Sequence, residues 1–235
     1  MAVQFEVKSD GYKIRGVLTI PDRSGKHPCI ILSHGLISSK ESAKYLALSD
    51  VLADSGIASC RFDYHGCGIS EGRIEETTLT LRIGNLEAVS DWAMAHPSID
   101  AERIGLLGSS FGGSTSLVKA ALDRRIRCVS LWATPHRLEN MEDPSAEGIA
   151  FKETLYKNFA TYDLLSEARK VSHALVIHGK ADEVVPSSEG EAIFRYLGEP
   201  KGLELIEGGD HTFSVASHRE RAISLSLEWF RRFLV

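Results

Sequence analysis

Apolar and polar residues alternate from Val3 to Lys8, and Tyr12 to Ile20 is rich in strand-forming residues, with Asp10-Gly11 between the two segments. This pattern predicts an antiparallel hairpin closed by a tight turn, ending at Pro21-Asp22. The pattern then changes. Cys29-Ile30-Ile31-Leu32 is an unbroken apolar run, as expected for a strand covered on both faces. Further short strands are predicted at Ile57 to Phe62, Ile104 to Leu107, Val129 to Trp132, Ala174 to Ile177 and Leu203 to Ile206. Helical segments fall between them. Ala43 to Ser55 stops at Gly56. Thr77 to Ala95 carries Leu79, Ile83, Leu86, Val89 and Ala93 on one stripe; Gly84 weakens that helix by about 1 kcal/mol relative to alanine, and Pro97 ends it. Phe111 to Leu122, Ser188 to Leu197 and Phe213 to Leu234 complete the set.

Strands alternating with helices predict an α/β domain, a mostly parallel, doubly wound sheet of about eight strands with helices on both faces. The chain, residues 1–235, reads as one domain. One stretch breaks the alternation. Residues 134–170 are too long for a simple crossover and contain helical segments and the aromatics Phe151, Tyr156, Phe159 and Tyr162. They are expected to form a small cap inserted over one edge of the sheet. No internal repeat or low-complexity linker interrupts the pattern.

Composition narrows the partners. A net charge of −5, with no long Lys/Arg run, points away from nucleic acid and anionic membranes. No apolar run reaches the roughly 18 residues needed to span a bilayer. The first residues lack the charged and apolar regions of a signal peptide, so a cytoplasmic location is expected. The cysteines Cys29, Cys60, Cys67 and Cys128 form no CxxC pair, which suggests neither zinc nor a dithiol redox centre. Three lie in apolar segments as core thiols; for Cys67, in a glycine-rich loop, exposure stays open, with a structural thiol the favoured reading.

The chemistry begins at Gly108-Ser109-Ser110-Phe111-Gly112. This is a GxSxG motif between an apolar strand and a helix, the context in which a serine is held on a tight turn with its hydroxyl outward. The helix N-terminus beneath it favours developing negative charge. A serine needs a base at neutral pH, and on such a sheet the acid and then the histidine follow the nucleophile in sequence. Asp182 follows the strand ending at Ile177, and His211 follows the strand ending at Ile206. Ser110, Asp182 and His211 are therefore the expected catalytic residues. Glu183, Asp210, His178 and His218 are rivals; His178 is read as a structural hydrogen-bonding residue, and Asp210 is expected to point away from its neighbour. Acyl transfer also needs oxyanion donors. The amides of Leu36, in Ser33-His34-Gly35-Leu36, and of Phe111 are expected to supply them, with His34 bracing the loop. Asp63-Tyr64-His65-Gly66-Cys67-Gly68-Ile69-Ser70 lacks phosphate-loop spacing and is read as structural, near the site.

These elements, taken in order, resemble the α/β-hydrolase superfamily from about Tyr12 to the C-terminus. Within it the chain is similar to small bacterial cinnamoyl (feruloyl) esterases and to the serine aminopeptidase-like group, most of all in Ile206-Glu207-Gly208-Gly209-Asp210-His211. It departs from the cinnamoyl esterases in having Ser109 and Phe111 where those carry His and Gln. The resemblance implies a carboxylesterase working through an acyl-enzyme, on aromatic or short acyl esters, without cofactor or metal. It implies that the insertion contributes to the pocket, with Phe151, Tyr156, Phe159, Tyr162 and Val185 as candidate substrate-binding residues. The expected partner is a small-molecule ester; a homodimer stays open. A peptidase, an acyltransferase and a non-catalytic ligand-binding protein are the alternatives.

Overall fold

The computed structural model describes residues 1–138 and 151–235. Of the expected insertion, residues 139–150 lie outside the described residues.

The hairpin forms as predicted: β1 (Ala2–Ser9) and β2 (Tyr12–Thr19) pair antiparallel around Asp10 and Gly11, both of which take positive φ. The remaining strands are β3 (His27–Ser33), β4 (Ala58–Phe62), β5 (Ile99–Ser109), β6 (Ile126–Trp132), β7 (Ala174–Gly179) and β8 (Lys201–Ile206). They complete one eight-stranded sheet in the order β1-β2-β4-β3-β5-β6-β7-β8. β2 joins β4 antiparallel, and every pair from β4 through β8 is parallel. β3 and β7 are buried along their whole length, which is why they read as continuous apolar runs rather than alternating ones.

Helices cover both faces. On one, α1 (Ala43–Asp54) and α7 (Ala216–Leu234) pack over a core that includes Ile30, Leu32, Leu107, Trp132 and Ile177. The Trp132 indole donates to Ser130 Oγ and Ser226 Oγ at 3.1 and 3.0 Å, fastening β6 to α7. On the other face lie α2 (Leu79–Ala95), α3 (Phe111–Leu122), α4 (Glu153–Ala160), α5 (Leu164–Ala168) and α6 (Ser187–Tyr196), around a larger core.

The insertion is less separate than the sequence suggests. α4 leans on α2, and α5 sits against α3 and α6. Leu155, Phe159, Leu164 and Ala168 are buried in the main core. The described part of the insertion is therefore packed into a helical layer rather than laid over an edge of the sheet. Its start is pinned as well: buried Glu189, in the first turn of α6, accepts from the His136 amide and from Arg137 Nε at 3.0 and 3.1 Å.

Two predicted helix starts move for local reasons. Thr78 accepts from the Leu81 amide, so α2 begins at Leu79, as expected of an N-capping threonine. Asp210 accepts from the Thr212 and Ser214 amides and Phe213 takes positive φ, which delays α7 until Ala216. All four cysteines are free and buried. The open question of Cys67 is settled by burial: its loop folds inward, and the thiol lies 3.6 Å from Arg82 Nη2. Among the described residues no helix is long and apolar enough to cross a membrane.

Candidate active site

Sheet order places the site. From β3 the chain moves to β4 on one side and then to β5 on the other, so the loops after β3 and β5 diverge at the carboxyl edge of the sheet. Crevices that bind ligands form at such reversals. Ser33, the last residue of β3, lies in register with Gly108 of β5, just before the turn that carries Ser110.

That turn is tight. Ser110 has φ 56 and ψ −129, a conformation rarely taken by residues with side chains and typical of strain held at functional positions. Its amide donates to the Trp132 carbonyl at 2.8 Å, anchoring it to β6. The flanking glycines are required by space. A Cβ at Gly108 would stand 2.3 Å from the Gly112 carbonyl oxygen, and one at Gly112 would stand 2.2 Å from the Ser33 carbonyl oxygen.

The loops after β7 and β8 bring in the acid and the histidine. They are laced together by the Lys180 amide to the Ile206 carbonyl and the Ala181 amide to the Gly209 carbonyl. His211 Nε2 lies 3.0 Å from Ser110 Oγ. On the other side of the ring, Nδ1 lies 3.0 and 2.9 Å from the two Asp182 oxygens. The three residues expected from sequence therefore form one continuous hydrogen-bonded chain.

Asp182 is buried and well supplied with donors. It accepts from the Val184 and Val185 amides at 3.0 and 2.8 Å, and His178 Nε2 stands 3.2 Å from Oδ2. Burial alone would raise its pKa, but hydrogen bonds from His178, His211 and the Val185 amide outweigh it and hold the carboxyl well below the usual carboxylate range. His178 Nε2 also meets the Val185 carbonyl at 2.9 Å, and its Nδ1 has no partner among the described residues. The proton therefore sits on Nε2, and His178 is a donor to the acid's own loop. It is structural, as the sequence suggests, but one bond away from the reacting chain. Asp210 is spent on the turn before α7, away from His211.

The loop expected to supply an oxyanion donor lies against the serine: a Cβ at Gly35 would be 3.4 Å from Ser110 Cβ and 3.9 Å from Ser110 Oγ. Leu36 follows directly, and Phe111 opens α3. His34 braces this loop as expected. Its Nε2 accepts from the Tyr64 amide at 3.1 Å, so Nδ1 carries the proton and donates to the Gly35 carbonyl at 2.8 Å. Burial, together with the nearby Arg82 cation, pushes His34 down to about 3 and keeps it neutral. The glycine-rich loop supports the same region: the Tyr64 hydroxyl bonds Ser33 Oγ, and Asp63 forms a buried ion pair with Lys40 at 2.9 Å.

Two nearby cations carry no signal in the motifs. Lys44 Nζ donates to Ser109 Oγ, beside the serine, at 2.8 Å. Burial lowers its pKa to about 8, against the pull of the Asp210 and Asp182 carboxylates. Arg82 reaches the His34, Gly35 and Leu36 carbonyls from behind that loop.

The candidate pocket residues separate. Phe159 is buried with its ring 5.5 Å from that of Phe111, next to the serine. Tyr162 hydrogen-bonds Thr80 at 2.7 Å, tying the segment after α4 to α2. Phe151 packs against the main core and Tyr156 is partly exposed. Val185 is buried and meets the site through its backbone, at Asp182 and His178.

The profile of the prolyl oligopeptidase family matches residues 51–235. The chain belongs to the prolyl oligopeptidase family. Similar curated proteins include an uncharacterised 31.7 kDa Escherichia coli protein from the traX-finO intergenic region, 33% identical over 110 residues, covering 47% of this chain and 38% of that one. The 2,6-dihydropseudooxynicotine hydrolase of Paenarthrobacter nicotinovorans is 28% identical over 231 residues, covering 89% of this chain and 59% of that one. The chain thus spans less than two thirds of the length of these relatives. Among solved structures, Est1E from Butyrivibrio proteoclasticus bound to ferulic acid superposes with a TM-score of 0.85 at 23% identity, covering 97% of this chain and 99% of that one. The fold is that of the α/β hydrolases.

Proposed function

We propose that the protein is a serine hydrolase that cleaves carboxylic esters through an acyl-enzyme. The observation that carries this reading is the chain of bonds from Ser110 Oγ through His211 to Asp182. In this scheme His211 takes the Ser110 proton as the hydroxyl oxygen attacks the carbonyl carbon. The Leu36 and Phe111 amides receive the oxyanion. His211 then protonates the leaving alcohol, and in the second half-reaction it activates water to release the acid. Asp182, held ionised, keeps His211 in the tautomer with its proton on Nδ1.

The pocket is proposed to lie between Phe111 and the insertion, with Phe159 as the side chain best placed to touch the acyl group. The test is a panel of acyl esters varying in chain length and aromaticity, extended to thioesters and peptide amides, run beside Ser110→Ala. Esters are expected to turn over fastest, and the variant to lose on the order of 10⁴-fold or more in kcat. A folded Ser110→Ala with near-normal turnover would remove Ser110 from the role.

A second reading, peptide hydrolysis with the same residues, is favoured by membership of the prolyl oligopeptidase family. The amide arm of the panel decides between the two.

A further inference from the structure

The serine-hydrolase reading leaves one large buried group without a task. Arg82 on α2 is fully buried. Each of its five N–H donors has an acceptor. Nε donates to Thr77 Oγ1 at 3.2 Å. Nη1 donates to the His34 and Gly35 carbonyls at 3.2 and 3.0 Å. Nη2 donates to the Leu36 carbonyl at 2.8 Å and meets Cys67 Sγ at 3.6 Å. The guanidinium also lies over the Tyr64 and Phe111 rings, 4.4 and 5.2 Å from their centres. Among the described residues no carboxylate pairs with it.

Folds rarely bury an unpaired cation, because its desolvation is costly and an apolar side chain in the same place is at least as stabilising. Leucine would complete the stripe of α2. What an arginine adds is a grip on three consecutive carbonyls of the oxyanion loop.

We propose that Arg82 is a positioning residue for the oxyanion hole, one that fixes and polarises the Leu36 amide. The inference rests on the serine-hydrolase reading. In a trans peptide the carbonyl and the following N–H share a plane and point in opposite directions. Holding the Gly35 carbonyl therefore turns the Leu36 N–H the other way. Gly35 lies against the serine, with its Cβ position 3.9 Å from Ser110 Oγ. A second bond, from His34 Nδ1, fixes the same carbonyl. A charged donor on a peptide oxygen also withdraws electron density from that peptide's nitrogen, which strengthens its N–H as a donor. The same guanidinium packs against the ring of Phe111, whose amide is the other proposed donor. Arg82 thus acts on the Leu36 amide from behind the loop without touching substrate.

The test compares Arg82→Met, Arg82→Lys and, as a control for disruption of α2, Asn85→Ala. Asn85 is buried one turn along the helix and bonds Ser9 and the His65 amide rather than the oxyanion loop. The readouts are kcat, KM and the affinity of a trifluoromethyl ketone, which forms a tetrahedral adduct with the serine and places an anionic oxygen in the hole. Arg82→Met is expected to lose about 10²-fold in kcat with KM moved less than about threefold, and to lose ketone affinity to a matching degree. Arg82→Lys keeps the charge but not the planar fork, and is expected to lose roughly tenfold in kcat. Asn85→Ala is expected to lose stability with kcat unchanged. Should Arg82→Met not fold, Arg82→Lys carries the same comparison. A folded Arg82 variant with wild-type kcat, or one that loses kcat while binding the ketone normally, overturns the inference while leaving Ser110 in its role. A wild-type protein that turns over no ester and forms no ketone adduct overturns the underlying reading, and this inference with it.

Discussion

Asp182 shows how much of the site depends on one side chain's surroundings. A carboxylate buried this deeply stays ionised only because four donors surround it. Asp182→Asn keeps the shape but reverses the hydrogen-bond preference, because an amide NH₂ facing Nδ1 favours the tautomer with the proton on Nε2. Loss of about 10⁴-fold in kcat is expected, by analogy with the same change in other triads; a steady-state assay on a folded variant checks it, and a loss of less than tenfold would contradict the assigned orientation. Removing the donor one bond further out, in His178→Ala, should cost less, about tenfold, and the same assay reads it. Ser110, Asp182 and His211 are legible in the sequence because each follows a recognisable strand and the order fits one architecture. Arg82 is not. A stripe drawn through apolar residues picks Ile83, yet the face that α2 buries includes Arg82 and Asn85. Hydropathy cannot reveal a charge buried for the bonds it makes.

At the scale of elements, strands are read more securely than helix ends or the insertion. Buried parallel strands announce themselves as apolar runs, whereas helix starts depend on single side-chain bonds such as those of Thr78 and Asp210. The insertion is harder to read for a different reason: its aromatics could line a pocket or pack, and Phe159 packs in the main core with its ring tilted against that of Phe111. Truncating it should therefore act on the whole fold. Phe159→Ala is expected to cost about 3–5 kcal/mol in stability, measured by denaturant unfolding. A loss below about 1 kcal/mol would show instead that this ring belongs to a separable cap.

For the whole molecule, the sheet order could not be read from sequence, since periodicity says nothing about which strands become neighbours. The order nonetheless sets the chemistry, because it places the loops after β3 and β5 side by side. Charge also acts at this scale. Hydrogen bonds from Arg125, opposed by burial and reinforced by Lys119, hold Asp123 below the ordinary carboxylate range; Asp182 is held down as well, by the donors that outweigh its burial. A carboxyl with a lowered pKa in the folded state stabilises the fold above its unfolded-state pKa, about 3.8 for aspartate. That contribution is lost as the pH falls from there toward the folded-state value. Urea midpoints should therefore drop progressively as the pH falls below about 5, most steeply below about pH 4, and drop less in Asp123→Asn; equal drops in the two proteins would contradict the assignment.

The central claim is that one serine among many is made nucleophilic by its neighbours. Intact-protein mass spectrometry after treatment with a fluorophosphonate, followed by peptide mapping, tests this directly. The account predicts a single adduct on Ser110, absent from Ser110→Ala and strongly slowed in Asp182→Asn. An unmodified wild-type protein, or an adduct that persists in Ser110→Ala, would contradict it.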